Sequence, residues 1–332
     1  MTRTILVLFA CSVLSHAQTP NTTVKGIYRF TTPQVQQSLD EAATTIRTVA
    51  GVSQVSVDTA TSTFTFSGPA EAVNFAEWIL PQIDKAAGDN ILHVYNLPSG
   101  DIARVNFVPN VQKPQGMQEL LTILRTVADV QKIFTFTSNQ AIVLRGPDWQ
   151  VAFAEWIIDQ INQPVQQKPD TTSREFTVGG PDFRGLGHGA RVNFLANMKS
   201  QPQTQELLTV LRTVGDVQKV FSYSTGPALV FRAGDTDLQR AEWIIQQLDL
   251  AGGKPPGPKT FTAPVGDDIT RIFSLGKASP NWIQAAQTAM RSELNIKKVF
   301  PTMIPANLVV RGTADQIAAA TAWMASHNAL IE

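Results

Sequence analysis

The sequence Phe75-Ala-Glu-Trp-Ile79 recurs as Phe153-Ala-Glu-Trp-Ile157, 78 residues further along this chain of 332 residues. A variant with one change, Arg240-Ala-Glu-Trp-Ile244, follows after another 87 residues. A motif that returns at intervals of this length indicates a duplicated structural unit. The residues around the motif therefore define the unit and predict its fold.

The tryptophan of this motif belongs to a pattern that occurs four times. An arginine stands 31 or 32 residues before each tryptophan, in the pairs Arg47 and Trp78, Arg125 and Trp156, Arg212 and Trp243, and Arg291 and Trp323. Between the two anchors lie two short apolar runs split by a turn, which predict a β-hairpin. A glycine ends the second run, and apolar residues at spacings of three and four then predict an amphipathic helix that carries the tryptophan.

A second helix and a further strand precede each hairpin. Leu120, Leu121 and Leu124 form an apolar stripe that is copied 87 residues later, and the extended segment Arg104–Phe107 comes before it. Two tryptophan helices are predicted to begin with capping boxes, at Thr236-x-x-Gln239 and Thr313-x-x-Gln316. Short extended segments ahead of copies two to four would each add an edge strand, namely His93–Leu97, Phe176–Val178 and Phe261–Ala263.

The predicted class is α+β: a tandem array of four small βαββα domains, each with a three-stranded sheet and two helices on one face. The repeats cover residues 24–86, 91–164, 174–250 and 259–331 and are called modules 1 to 4. Proline and glycine between them, as in AGGKPPGPK at 251–259, favour exposed tethers. We expect a semi-flexible string of domains of about 70 residues, whose small cores favour docking between neighbours.

Residues 1–17 predict a signal peptide. Arg3 precedes an apolar run over 5–14, and Ser15-His-Ala17 places small residues where a signal peptidase reads them before Gln18. The run is too short to cross a bilayer, which takes roughly 20 residues. The exported chain is therefore predicted to lie in the periplasm, with full secretion as the alternative and no transmembrane segment in the mature chain.

Cys11 is the chain's one cysteine and lies within the predicted signal peptide. A lipoprotein signal ending at Cys11 is disfavoured because Phe9 precedes it and apolar residues continue after it. The mature chain then has no thiol, which excludes thiol catalysis and thiolate metal sites. The 27 basic and 27 acidic residues balance, so a nucleic-acid partner or an anionic membrane surface is not expected.

The repeats resemble the periplasmic N-domains of bacterial secretins and the related short N-terminal domains. The resemblance is carried by Asn307-Leu-Val-Val-Arg-Gly-Thr-Ala-Asp-Gln-Ile317, and by Ala228–Arg232 running into Trp243–Asp249. It covers most of the mature chain, but no pattern of long alternating strands like that of a secretin pore follows the repeats. The resemblance implies protein contacts in the cell envelope.

The repeated tryptophans Trp78, Trp156, Trp243 and Trp323 are predicted to anchor each helix on its own sheet, since a large ring buries much area. Trp149 and Trp282 lie outside the repeat pattern and are candidates for surface contacts. Repeated cations suggest a basic edge along the modules that is solvated or docks a partner, made of Arg145, Arg232, Arg311, Lys132, Lys219 and Lys298.

No catalytic, cofactor or metal site is predicted. His93, His188 and His327 fall at different places in the repeat, which does not suit converging metal ligands. The glycine loop Gly185–Gly189 is followed by a predicted strand, whereas a phosphate loop needs a helix there. The glutamates before three of the tryptophans have no second repeated carboxylate beside them, as glycosidic cleavage would need.

The function expected from the sequence is that of an exported, non-enzymatic envelope protein whose modules bind other envelope proteins or copies of themselves. Strand edges suit this function because their unpaired backbone groups accept partner strands. The alternative is a protein that binds peptidoglycan, another glycan or a different ligand in clefts between modules. A hydrolase is the third and least favoured class.

Overall fold

The computed structural model describes residues 23–31, 34–85, 93–164, 173–177, 189–250 and 259–327. The predicted signal peptide, His188 and most of the linkers lie outside these residues.

The strands are β1 Thr23–Arg29, β2 Gln54–Asp58, β3 Thr63–Pro69, β4 His93–Asn96, β5 Ile102–Phe107, β6 Lys132–Phe136, β7 Ala141–Gly146, β8 Arg174–Thr177, β9 Gly189–Phe194, β10 Lys219–Tyr223, β11 Ala228–Ala233, β12 Thr260–Thr262, β13 Ile269–Ser274, β14 Lys298–Met303 and β15 Ala306–Gly312. The helices are α1 Gln36–Thr45, α2 Ala70–Ile83, α3 Pro114–Thr126, α4 Asp148–Ile161, α5 Gln201–Thr213, α6 Asp235–Leu248, α7 Pro280–Ser292 and α8 Ala314–Ser326.

The strands form four separate antiparallel sheets, which confirms the predicted α+β class. The orders are β1-β3-β2, β4-β5-β7-β6, β8-β9-β11-β10 and β12-β13-β15-β14. The last three sheets have four strands because the short lead-in segments pair at their edges, as expected. Module 1 has three strands among its described residues.

Equivalent residues of the four modules are 78, 87 and 79 positions apart. The second hairpin strand fixes this alignment, because Thr65, Val143, Val230 and Val309 occupy the same place between their two neighbouring strands. The same spacings carry the comparison into the helices that precede and follow the hairpin.

The modules are docked to one another, as their small cores led us to expect, and therefore do not form the predicted semi-flexible string. The first helix of each module lies on the first hairpin strand of the next, in the pairs α1 with β6, α3 with β10 and α5 with β14. The core of module 1 therefore includes Val105 and Val143 of module 2. Sheets and helix layers alternate along the chain, as in repeat proteins in which each unit contacts its neighbours.

The central strands show this arrangement residue by residue. On β7, Ile142 and Leu144 face the helices of module 2, whereas Ala141 and Val143 face those of module 1. Val230 of β11 faces module 2 in the same way. Strands buried on both faces have continuous apolar sequences, which β7, β11 and β15 show.

The sheet of module 1 has a polar outer face instead. β3 alternates between buried Phe64 and Phe66 and the outward Thr63 and Thr65, of which Thr65 is exposed. The outward residues of the neighbouring β1 and β2 include charged and polar side chains, and most are exposed. A polar outer face is what a terminal repeat needs.

The repeated arginine at the end of the first helix holds the outer hairpin strand of its own module. Its guanidinium donates a hydrogen bond to a strand carbonyl at 2.9–3.1 Å, in the pairs Arg47 with Val55, Arg125 with Ile133, Arg212 with Val220 and Arg291 with Val299. This hydrogen bond uses a backbone carbonyl of the strand that forms the hairpin edge of each sheet, namely β2, β6, β10 or β14.

One predicted helix start is confirmed and one is wrong. Thr313 forms a capping box with Gln316 at the start of α8. Helix α6 begins one residue earlier than Thr236, with Gly234 at its N-cap, so Thr236 lies inside the helix. An additional capping box joins Ser200 and Gln203 at the start of α5.

Candidate functional site: the module junctions

A glutamate on the first helix of each of modules 1 to 3 caps the hairpin of the next module. Its carboxylate accepts a hydrogen bond from a hairpin backbone N–H at 2.7, 2.8 and 2.9 Å, in the pairs Glu41 with Thr137, Glu119 with Ser224 and Glu206 with Met303. The three glutamates are equivalent by the repeat spacing. A charged acceptor makes these hydrogen bonds stronger than neutral ones.

An aspartate just after the first helix provides a second contact in two junctions. Asp129 is in the left-handed conformation, with φ of 59°, and pairs with Lys219 and with Arg232 at 2.5 Å. Burial alone would raise the pKa of Asp129, but hydrogen bonds from these two cations outweigh it and lower the pKa. Asp216 repeats the arrangement with two cations of module 4, Lys298 and Arg311.

The repeated tryptophan provides the third contact, and it faces the next module. Its ring packs on an aromatic ring of the following lead-in strand, with centroids 5.3, 5.3 and 5.9 Å apart in the pairs Trp78 with Tyr95, Trp156 with Phe176 and Trp243 with Phe261. The tryptophans are half-buried. They were predicted to anchor a helix on its own sheet, and each packs against the core that contains its own helix. The lead-in strand of the next module covers each ring in addition.

The first junction lacks the aspartate contact. Gly51 occupies the position of Asp129, with φ of 80°, and Arg145 pairs instead with Asp101 of its own module at 2.8 Å. Across this junction Arg145 lies 3.9 Å from Glu71 and over the ring of Phe75.

The third junction replaces an aromatic contact with an ion network. Phe75 and Phe153 stack on the lead-in aromatic of the next module, but the equivalent residue of module 3 is Arg240. Arg240 is buried and pairs with Asp268 of module 4 at 2.8 Å, and Arg311 pairs with the same carboxylate. Burial opposes ionisation of Asp268, but the arginines outweigh it, and its pKa is lowered.

Module 4 lacks all three junction residues. The positions of the glutamate, the aspartate and the tryptophan hold Ala285, Asn295 and Ala322, and all three are exposed. Trp323 stands one position after the repeated tryptophan, which explains the spacing of 32 residues. Its ring packs beside Trp282, with centroids 6.1 Å apart. The helical face of module 4 therefore lacks the three side chains that contact the next module in the other junctions.

The predicted basic edge is not a free surface. The side chain of Arg232 is 0% exposed, and those of Arg145 and Arg311 are 12% and 11% exposed, because all three lie in junctions. Lys219 is 30% exposed and holds Asp129, whereas Lys132 is 52% exposed. The prediction left open whether these cations are solvated or dock a partner. Their carboxylate partners are distant in the chain, 44 positions away for Arg145 with Asp101 and 103 for Arg232 with Asp129.

The two tryptophans outside the repeat are half-buried. Trp149 packs against the core shared by modules 2 and 3, and Trp282 packs against the core of module 4. Trp282 lies on the outer helical face of module 4, at the position where Gln203 reaches the hairpin of the next module. Whether either residue binds a partner stays a prediction.

A cavity of about 380 Å³ lies at the junction of modules 2 and 3. It is lined by α3, by the start of α5 and by the module 3 hairpin, with Gln115, Glu119 and Tyr223 among its side chains. Burial and the charge of Glu119 raise the pKa of Tyr223 to about 12.

The remaining acidic and histidine candidates have structural surroundings. Glu155 and Glu242 pair with strand arginines, Arg104 at 3.2 Å and Arg191 at 3.5 Å. Burial raises the pKa of Glu155, and the charge of Arg104 opposes this shift. His93 is buried in β4, and His327 stacks on Trp323.

Within the described ranges, no group of three or more histidine, cysteine, aspartate or glutamate side chains is placed to hold a metal ion. None of the helices in the same part of the chain is both long and apolar enough to cross a membrane.

Comparison with known proteins gives structural neighbours alone. No protein-family model and no curated protein matches the chain. The chain is similar to a structure titled Aeromonas hydrophila ExeD, with 16% identity and a TM-score of 0.17, over 69% of this chain and 42% of that one.

Two further structures belong to the same comparison. The type II secretion system secretin GspD of E. coli K12 has 13% identity and a TM-score of 0.17, over 69% of this chain and 39% of that one. The structure of XcpQN012 has 12% identity and a TM-score of 0.20, over 68% of this chain and 99% of that one. The chain thus spans less than half of the ExeD and GspD chains, and TM-scores this low carry no argument about function.

Proposed function

We propose that the chain is an exported, non-enzymatic cell-envelope protein whose four secretin N-domain-like modules form a docked array that binds or helps assemble other envelope proteins. The proposed site is the periplasm, and no cofactor, nucleic acid or membrane-spanning segment takes part. The observation that carries the proposal is the repeated docking of a helix face on a sheet face. Buried arginines and packed aromatic rings are the contacts on which protein interfaces depend.

The surfaces left for partners are the strand edges and the two ends of the array. The inner sheet and helix faces are covered by neighbouring modules. Head-to-tail association through the junction contacts is disfavoured, because module 1 presents polar Thr65 and Ser56 and module 4 presents Ala285, Asn295 and Ala322. Partners other than a second copy are therefore favoured.

Export and partner binding are tested together in the cells that make the protein. The chain from the envelope fraction should begin at Gln18, which N-terminal sequencing measures. A photo-crosslinking residue at exposed positions in different modules, such as Ile27, Val94 and Ile304, should couple the chain to defined envelope proteins. Recovery of uncleaved chain from the cytosol, with no crosslink at any position, would overturn the proposal.

A second candidate function is ligand or glycan binding, favoured by the polar cavity between modules 2 and 3. Sedimentation of the exported chain with purified cell-wall sacculi tests it. Binding that is lost in Trp149→Ala or Trp282→Ala, with the fold retained by circular dichroism, would favour this function. Equal recovery with and without sacculi would exclude peptidoglycan as the ligand.

A further inference from the structure

One edge of the sheet is filled in three modules and open in the first. In modules 2 to 4 a short lead-in strand pairs antiparallel at this edge, in the pairs β4 with β5, β8 with β9 and β12 with β13. The equivalent strand of module 1 is β1, which pairs with β3 on its inner side. Among the described residues, β1 has no strand on its outer side.

The open edge is long. β1 has seven residues, whereas the edge strands β4, β8 and β12 have four, four and three. At the opposite edge of each sheet, the repeated arginine already occupies a backbone carbonyl. Unpaired backbone groups along a strand are a template for another strand.

The residues beside β1 indicate the chemistry of a strand that would fit. In modules 2 and 3 the glutamate before the repeated tryptophan pairs with an arginine on the strand next to the lead-in strand. Glu155 pairs in this way with Arg104 of β5. The equivalent residue of β1 is Gly26, and the carboxylate of Glu77 lies 3.0 Å from the position that a Cβ of Gly26 would take. No described residue forms an ion pair with Glu77, which is exposed.

An incoming strand can supply the missing cation. Paired strands lie about 4.8 Å apart. The edge of the Phe66 ring fills the place of a side chain at Gly26, and the Glu77 carboxylate lies beside it. An arginine or lysine opposite Gly26 would therefore reach the carboxylate. On the other face of β1, Ile27 is 71% exposed, although the equivalent Val105 and Val192 are buried. An apolar or aromatic residue opposite Ile27 would cover it.

We propose that the outer edge of β1 is an acceptor site for an extended segment of a partner protein, which pairs antiparallel and places a cation opposite Gly26. The proposal rests on the proposed function and specifies its partner. If this chain itself supplied a strand that paired with β1 as β4 pairs with β5, that strand would consist of residues 15–18, which overlap the predicted signal peptide. The occupant is therefore a segment of another protein. Lys25 and Arg29 on the same strand disfavour pairing of two β1 strands with each other.

The probe is the heptapeptide Ile-Leu-His-Arg-Tyr-Asn-Leu, which is the lead-in sequence 91–97 with arginine in place of Val94. In the β4 register its arginine lies opposite Gly26 and its histidine opposite Ile27. The exported chain, residues 18–332, is mixed with the peptide at millimolar concentration, and hydrogen–deuterium exchange is measured over β1. We expect exchange of the β1 amides to slow while exchange of β2 stays unchanged.

Two controls separate strand pairing and the ion pair from general adhesion. A peptide N-methylated at the amides that face β1 should give no protection. Glu77→Gln should weaken binding of the arginine peptide about two- to fivefold, as expected for an exposed ion pair. The same variant should leave binding of the unmodified valine peptide unchanged, and Glu293→Gln should affect neither.

Unchanged exchange in β1 at millimolar peptide, equal protection by the N-methylated peptide, or protection at a different edge would each overturn the proposal. If the arginine peptide bound the Glu77→Gln variant as tightly as it binds the unmodified chain, the assignment of the cation to Glu77 would be overturned. These outcomes are distinguishable from failure of the proposed function, because crosslinks to an envelope protein from other positions would leave that function standing.

Discussion

The carboxylate of Asp129 lies 2.5 Å from the guanidinium of Arg232, whose side chain is 0% exposed. The two residues belong to different modules and are 103 positions apart in the chain. A buried arginine needs a partner, because an unpaired charge inside a protein costs several kcal/mol. Module 3 can therefore bury this arginine in its sheet because module 2 supplies the carboxylate.

Asp129→Asn should destabilise the docked state by about 2 kcal/mol. A fully buried pair loses more when one partner is removed, about 3 to 5 kcal/mol, but Asp129 is one-third exposed. The measurement is urea unfolding of the exported chain. Asp159→Asn on α4 of the same module is the matched control, since Asp159 has no ion pair within the described chain, and its effect should stay within about 0.5 kcal/mol. Equal losses for the two variants would contradict the role of Asp129.

Acid should weaken the second and third junctions. The folded chain lowers the pKa of Asp129 and Asp268 from 3.8. Both carboxylates therefore stabilise the fold above that value, and the contribution is lost as the pH falls through the lowered folded values. Tm should drop steeply below about pH 4. The drop should be smaller in Asp129→Asn, and identical pH profiles for the two proteins would contradict the prediction.

Removing a hairpin-capping glutamate should also loosen a junction. Glu206→Ala leaves the backbone N–H of Met303 without its acceptor and should cost about 1 to 3 kcal/mol in urea unfolding. Ala285→Glu is the matched control, because it places a glutamate at the same repeat position where no module is docked. It should be nearly neutral, and a loss as large as that of Glu206→Ala would show that helix effects, not docking, decide the result.

Trp156→Ala tests the aromatic contact. The ring lies between α4 and Phe176 of the next module, so its removal should cost about 2 to 4 kcal/mol, less than for a fully buried tryptophan. Calorimetry of the exported chain measures the loss. Ala322→Trp, which restores the repeat tryptophan in module 4, should change stability little, because no lead-in strand covers that position in the described chain.

The sequence contained the signal for docking, although the prediction used it incompletely. In Thr63-Phe-Thr-Phe-Ser67 polar and apolar residues alternate strictly, which indicates a sheet with one solvent-exposed face. Ala141-Ile-Val-Leu144 is continuously apolar, which indicates burial on both faces. The contrast between the two patterns distinguishes the end of the array from its interior.

Other features could not be read from the sequence. Trp156 stands at the border of an apolar stripe, and periodicity does not tell whether its own sheet or another module covers it. Asp129 and Arg232 are distant in the chain, so their pairing depends on the way in which modules stack. The one-residue shift of Trp323 was visible as a spacing of 32, but its meaning required the sheet register.

Docking predicts that the array holds together when the chain is cut between modules. A site for a specific protease introduced after Gln166 would divide the chain between modules 2 and 3. The two fragments should elute together in gel filtration, because the Glu119, Asp129 and Trp156 contacts all join these modules and do not depend on the linker. Adding Asp129→Asn and Trp156→Ala to the cleavable chain should separate the fragments. Separation of the fragments without these substitutions would show that the linker, and not the faces of the modules, holds the array together.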